Sequence, residues 1–217
     1  VTIEEVFMSR RTHRRAFVDL PFRLSTHHPA WRPGLRALAD QILHPGRNPF
    51  WRRQSGSFFL ARRGGRTVGR MAVLDPGSIP DAADAAVLAF PDFEDDGAVF
   101  TALLDAVERR ACERGAGSVL GPLNPDLHHD VGVLVRGHEL RNAAFMGYQP
   151  SYYRRHFEGA GFAGWSDFHA WGLYREWFNA EGRLQRLAQR VERDPRVRIR
   201  ALDLSRYDDE LRLFHRL

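Results

Sequence analysis

His128-His129-Asp130 is the densest cluster of side chains able to do chemistry in this 217-residue sequence. An imidazole titrates near neutral pH, so such a residue can act as a general base. Successive side chains point apart, which makes the same trio a poor metal site. Asn124-Pro125 just upstream predicts a turn, with Asn124 a candidate ligand-binding residue. His27-His28 precedes Pro29, has no partner acid at useful spacing, and reads as solvated. The single cysteine, Cys112, excludes an intrachain disulfide and a Cys-rich zinc site, and its place in a helical repeat predicts a small core residue. Gly-x-Ser-x-Gly is absent, and Gly115-Ala116-Gly117 lacks the third glycine of a dinucleotide loop at Leu120. The chain has no lysine, so a Walker-type phosphate loop is impossible.

Charge narrows the field further. All 32 basic residues are arginine, the net charge is +5, and the Arg pairs are dispersed along the chain. Total exclusion of lysine alongside abundant Ala and Gly reads as base-composition pressure, and a dispersed basic surface as a solvated one. Trp51, Trp165, Trp171 and Trp177 interleave with arginine, a pattern compatible with base stacking on RNA. The alternation Trp165, Asp167, His169, Trp171, Leu173 better describes one face of a packed strand, so nucleic acid is not an expected partner. Glu94-Asp95-Asp96 stands immediately before a long helical pattern, where Asp caps free N–H groups.

The elements that must position these residues can be read from periodicity. Ile3–Phe7 predicts a strand, Arg10–Leu24 a polar helix, and Pro33–Leu43 a second helix. Ser57–Arg62 and Thr67–Leu74 are strands joined by a Gly-Gly hairpin signal, and Ala85–Phe90 is a further strand. Val99, Leu103, Ala106, Val107 and Ala111 make one face of a helix stopped by Gly115 and Gly117, with a short strand at Ser118–Leu120. Asn124 to Gln149 has no clean period; Tyr152–Glu158 predicts a short helix, Phe162–Leu173 one or two closing strands, and Glu181–Arg193 a connecting helix. Val1–Arg10 returns as Val197–Arg206, with Val, Ile, Ser and Arg identical at corresponding places, so the second copy also predicts a strand leading into a helix. That helix should expose Leu211, Leu213, Phe214 and Leu217 unless something covers them. The composition, 43% hydrophobic and 27% charged, suits one globular domain with an extension. No apolar run is long enough to span a bilayer and no signal-peptide pattern opens the chain, so the expectation is a cytoplasmic protein without a membrane partner.

The order β-α-α-β-β-β-α-β-α-β, the hairpin SFFLARRGGRTVGRMAVL, the run ALLDAVERRACERGAGSV and the helix end FEGAGF together resemble the GNAT superfamily of acyl-CoA-dependent N-acyltransferases. NPFW and GYQPSYYRRHFEGAGF are further similar to bacterial proteins carrying two GNAT-like units. The resemblance implies an α/β fold, a mixed and mostly antiparallel sheet flanked by helices. It divides the chain into a GNAT-like domain at 1–175, a linker at 176–196 and the start of a second, incomplete unit at 197–217. On that reading the chain is the front portion of a tandem-repeat protein, and a second unit or partner chain is its expected partner.

The resemblance also implies a chemistry: transfer of an acyl group from acetyl-CoA or another acyl-CoA to a small-molecule amine. Val87, Leu88, Ala89 and Gly97 would then contact the cofactor, Asn124, His128, Asp130 and Tyr148 the amine, and His129 would be its base. Two departures qualify this. Family members place Q/R-x-x-G-x-G/A before the third helix to hold a diphosphate, whereas here those positions fall on Asp95 to Phe100. Each of the three acids would repel a diphosphate by roughly 1–4 kcal/mol at contact. The family's general-acid Tyr is replaced by Phe157, leaving Tyr153, one helical turn earlier, as the substitute acid, with Tyr152 a poorer one. The alternative is a catalytically silent GNAT-fold domain that supports a second domain or binds a ligand without chemistry.

Overall fold

Gly64 and Gly65 take φ of 56° and 77°, the positive pair that a two-residue hairpin turn requires. They join β2 (Gly56–Arg63) to β3 (Arg66–Leu74) in antiparallel register with Arg63 opposite Arg66. The computed structural model describes residues 1–76, 79, 82–144, 146–172 and 182–216. Around the hairpin grows a five-stranded sheet of order β1-β2-β3-β4-β5, with β1 at Thr2–Val6, β4 at Ala85–Phe93 and β5 at Ser118–Leu120. All pairings are antiparallel except β4 with β5, which run parallel across the crossover helix α3 (Gly97–Glu113).

Strands buried on both faces lose their polar alternation, and β3 and β4 are apolar almost throughout for that reason. One face, carrying Phe59, Val68, Met71, Val73, Ala86 and Leu88, packs against Val99, Leu103 and Val107 of α3. Gly69 lets that helix sit close, since a Cβ there would lie 2.7 Å from Leu103 Cδ1 and 2.9 Å from Val99 Cγ1. The other face, carrying Phe58, Leu60, Ala72, Leu74, Val87 and Ala89, packs against Phe17 and Val18 of α1 (Arg11–Leu24) and Leu43 of α2 (Arg36–Leu43). A two-stranded ribbon, β6 (Leu123–Asn124) with β7 (Asp130–Val131), follows β5, and α4 (Tyr152–Gly159) sets Tyr153 and Phe157 into the α3-side core. The GNAT-like fold class expected from the sequence is the fold observed.

Several local expectations are corrected. α2 starts three residues later than Pro33, and Leu35, counted on its apolar face, is 73% exposed before the helix begins. Cys112 is exposed: it follows the buried Ala111, and one residue turns it off the Val99–Leu103–Val107–Ala111 stripe. Residues 162–172 form no strand, and Trp165 and Trp171 are exposed; alternating aromatics make a face, but a strand also needs a neighbour to complete its hydrogen bonds.

Residues 1–167 form one compact unit and 168–217 another. In the second, α5 (Arg183–Glu192) exposes Leu184, Leu187 and Val191, and α6 (Tyr207–Phe214) exposes Leu211, Leu213 and Phe214. Val197–Leu204, expected as a strand like β1, is not one among the described residues: β1 is fixed by its register with β2, from Thr2 opposite Arg62 to Val6 opposite Phe58, and the second copy has no such ladder. Leu173, Trp177, Glu181 and Leu217 lie outside the described residues. No helix among the described residues is long and apolar enough to cross a membrane.

Candidate functional site

Near its carboxyl end β4 is bent. The pairing with β3 shifts register between Arg70 and Ala72, and Phe90 takes φ of 52°, an uncommon value for a residue with a side chain. The Phe90 N–H donates to Asn124 Oδ1 at 2.6 Å, so the β6 asparagine satisfies the donor that the bend removes from the ladder. Asn124, expected to bind a ligand, thus has its carbonyl oxygen engaged in holding this bend.

Two residues further on, Asp92 faces Arg70 across the strand pair. Arg70 Nε and Nη2 lie 2.8 and 2.7 Å from Asp92 Oδ2, Arg70 Nη1 donates to the Phe17 carbonyl at 2.7 Å, and the guanidinium stands over the Phe17 ring. Burial pushes the Asp92 carboxyl above its ordinary range, while the charge and hydrogen bonds of Arg70 pull it back. Tyr153 closes this network. Its hydroxyl accepts from the Phe93 N–H at 3.4 Å and donates to Asp92 Oδ1 at 3.5 Å, and its ring stacks on Phe93. Tyr153 is only 2% exposed, and burial together with Asp92 drives its hydroxyl well above the usual tyrosine range. The residue expected to act as a general acid is therefore core, its proton held by the fold. Tyr152, the second choice, donates to the Phe93 carbonyl at 2.5 Å and is likewise pushed up by burial.

The start of α3 carries its own anion. Asp96 Oδ1 accepts from the Ala98 and Val99 N–H groups at 2.8 and 3.3 Å. Arg63 from the hairpin reaches its other oxygen at 2.5 Å, and that bond foremost, with the two backbone N–H groups, holds the Asp96 carboxyl below its ordinary range. Glu94 pairs with Arg66 at 2.5 Å, and Asp95 with Arg155 at 2.6 Å and His156 Nε2 at 2.9 Å. Burial would raise Asp95, but the bonds from His156 and Arg155 outweigh it and the carboxyl lies low. Gly97 is the first residue of this helix, beside the cap. Val87, Leu88 and Ala89 have no exposed surface, and a Cβ on Gly121, just after β5, would collide with the Leu88 carbonyl. These residues do not present an open cradle for the diphosphate and pantetheine arm of an acyl-CoA: Asp96 occupies two N–H groups of the helix start, Arg63, Arg66 and Arg155 are engaged by the loop's own acids, and the strand is covered.

The loop after β5 is built differently. Asp126 Oδ1 accepts from the His128 N–H at 2.8 Å and pairs with His129 Nδ1 at 2.8 Å, closing a turn in which a carboxylate orients the imidazole. With Nδ1 bonded to a carboxylate, Nε2 is the nitrogen left to receive a proton. Its partner is Asp126, three residues back, not the adjacent Asp130. Asp130 sits opposite Asn124 in the β6–β7 ribbon and against Gly147; burial foremost, with Asp92 adding to it and His129 opposing, raises its carboxyl. Tyr148 donates to the His138 carbonyl at 3.1 Å and lies against the His28 ring at 5.8 Å. His138 Nε2 is enclosed with no hydrogen-bond partner, an unsatisfied polar atom of the kind that a ligand or water completes.

Of the residues singled out from sequence, Asn124, His128, His129 and Asp130 thus gather on one ribbon and its turn, and Tyr148 joins the adjoining loop. Tyr153 and Gly97 belong to other parts of the fold, while Val87–Ala89 run beside the start of the ribbon but are covered. Asp126, His138 and Asp92 were missed. The first had a readable signal, a carboxylate three residues before a histidine in a turn sequence; an acid inside the apolar run of β4 marked the last. Among the described residues no group of three His, Cys, Asp or Glu side chains is placed to hold a metal.

No family model matches the chain. A protein of Caulobacter vibrioides named bacterial ceramide synthase is 33% identical over 203 residues, covering 91% of this chain and 52% of that protein. Protein YghO of Escherichia coli is 26% identical over 205 residues, 94% of this chain and 52% of that protein. The chain therefore spans about half the length of each of these relatives. Among solved structures, a predicted acetyltransferase from Clostridium acetobutylicum, crystallised with acetyl-CoA, superposes with a TM-score of 0.50 at 9% identity, covering 79% of this chain and 95% of that one. The fold is GNAT-like.

Proposed function

We propose that the chain forms the acceptor side of an N-acyltransferase that acylates a long-chain amino alcohol, and that the acyl-CoA is held outside this unit. The observation that carries the reading is the 33% identity to a bacterial ceramide synthase over nearly the whole chain. A ceramide is the amide of a long-chain amino alcohol, so the bond such an enzyme makes is the one that GNAT-fold acyltransferases form. The division of labour is supported by the self-paired acids before α3, the capped helix start and the covered β4 backbone.

What this chain's own residues supply is proton transfer and orientation. The amine arrives as an ammonium ion and is nucleophilic only after losing a proton. His129 Nε2, set by the Asp126 bond, takes that proton, and the resulting imidazolium is stabilised by the same carboxylate. The silent-domain alternative shares the acid loop but leaves the His129–Asp126 pair without a task.

Calorimetric titration of the 217-residue chain with sphinganine tests this. Saturable binding is expected, weakened about tenfold or more in His129→Ala and Asp126→Asn, the scale of one charged hydrogen bond. Absence of binding, or equal binding by both variants, would overturn the reading.

A further inference from the structure

The loops beside this ribbon present a surface that the amine chemistry does not use. Asn142 sews two of them together: its Oδ1 accepts from the Arg32 N–H at 2.6 Å, and its Nδ2 donates to the carbonyls of Arg32 at 3.1 Å and Met146 at 3.0 Å. Tyr148 adds a second stitch, with its hydroxyl on the His138 carbonyl and its ring against His28. Segments over a hundred residues apart in sequence are thereby held as one surface element.

The side chains this element offers to solvent are of two kinds. Leu35, Leu140 and Met146 are 73%, 65% and 45% exposed. Large apolar residues standing singly on a surface are ordinary, but three on loops joined by one asparagine form a patch. The same loops carry Arg32, Arg136 and Arg141, all exposed; Arg32 donates to the Pro29 and Trp31 carbonyls, and among the described residues no carboxylate pairs with any of the three. Arg36, next to Leu35, is paired with Asp19. Over residues 27–36 and 131–149 the sequence carries four arginines and a single carboxylate, Glu139. Other arginines of the first unit are neutralised, as in Arg62–Glu4, Arg66–Glu94 and Arg110–Glu5, and what distinguishes this face is that its arginines stand on the same joined loops as the exposed apolar side chains.

Apolar tips flanked by arginines without acids are the chemistry of an interfacial contact with an anionic bilayer. Leu and Met enter the boundary between headgroups and acyl chains, while arginine stems lie along it and keep their guanidinium groups at the phosphates. A protein partner would have to bring a carboxylate-rich rim and a socket for each tip; a phospholipid surface supplies phosphates and apolar depth without either. We propose that this face, built on Leu35, Leu140, Met146, Arg32, Arg136 and Arg141, docks the chain on a membrane rich in anionic phospholipid. The expectation of no membrane partner rests on the lack of a spanning segment, and an interfacial surface needs none.

The proposal needs neither amine nor acyl donor, so its test is independent of the function above. The 217-residue chain is floated with phosphatidylcholine vesicles, with and without phosphatidylglycerol, and circular dichroism checks that each variant is folded. Binding is expected only with phosphatidylglycerol. It should fall about fivefold for each arginine replaced in Arg136→Gln and Arg141→Gln, the effect of removing one basic residue at an anionic surface. Leu140→Ser with Met146→Ser should abolish it. No flotation, flotation that the arginine changes leave intact, or flotation that survives the loss of both apolar tips would overturn the proposal. So would light scattering showing that a second copy of the chain covers the patch.

Discussion

Among the described residues, Arg70 and Asp92 form an ion pair in which both side chains are shielded from solvent. Placed opposite each other on β3 and β4 and almost wholly shielded from solvent, they satisfy one another and the Phe17 carbonyl. Removing one member leaves a charge that the surroundings cannot hydrate, whereas an exposed helix pair such as Arg154–Glu158 exchanges protein contacts for water at little cost. Arg70→Met is therefore expected to lower unfolding stability by about 3–5 kcal/mol in urea denaturation. Arg154→Met should change it by no more than about 0.5 kcal/mol. Equal effects would show that the Arg70–Asp92 pair is not an internal support of the bend in β4. The same residue-scale logic explains why Tyr153 misled a reading from sequence. Spacing on a helix put it one turn from Phe157, which is correct, but spacing carries no information on whether the hydroxyl faces solvent or the core.

At the scale of elements, what could be read in advance was whatever is set by local chemistry. The Gly-Gly hairpin, the apolar stripe of α3 and the acidic cap ahead of it follow from turn geometry, helical period and the free N–H groups of a helix start, and all three are present at the expected places. What could not be read depends on distant partners. Residues 162–172 carry a strand's alternation without a strand, and Val197–Leu204 repeats the opening of the chain without its ladder, because pairing is a property of two segments. The candidate site divides the same way: His129 was legible by residue type, but its carboxylate lay across a turn and the orphaned His138 nitrogen emerges only from packing.

The cap gives a pH signature to its element. The Asp95 and Asp96 carboxyls titrate below their ordinary range in the folded chain. Their contribution is therefore fully present above the unfolded value of about 3.9 and is lost as pH falls through the lower folded values. Hydrogen-exchange protection of Ala98 and Val99 should decline on acidification through that window, and Asp96→Asn should weaken the dependence. Protection that stays flat down to the lowest pH at which the rest of α3 holds would exclude Asp96 as the cap.

Across the whole first unit, different parts of one GNAT-like fold are built for different tasks. The sheet and α3 are closed and charge-balanced by their own residues, while the turn of the ribbon after β5 keeps an oriented imidazole, and the loops beside it carry apolar tips together with arginines that have no carboxylate partner among the described residues. The chain's relatives are about twice its length, which leaves room for an acyl donor to be bound elsewhere in a protein of that size. The central claim is that this unit serves the amine and not the acyl-CoA. Isothermal titration of acetyl-CoA into the 217-residue chain at physiological ionic strength tests it most directly. The account predicts no saturable heat in the micromolar range; a micromolar dissociation constant, competed by free CoA, would contradict it.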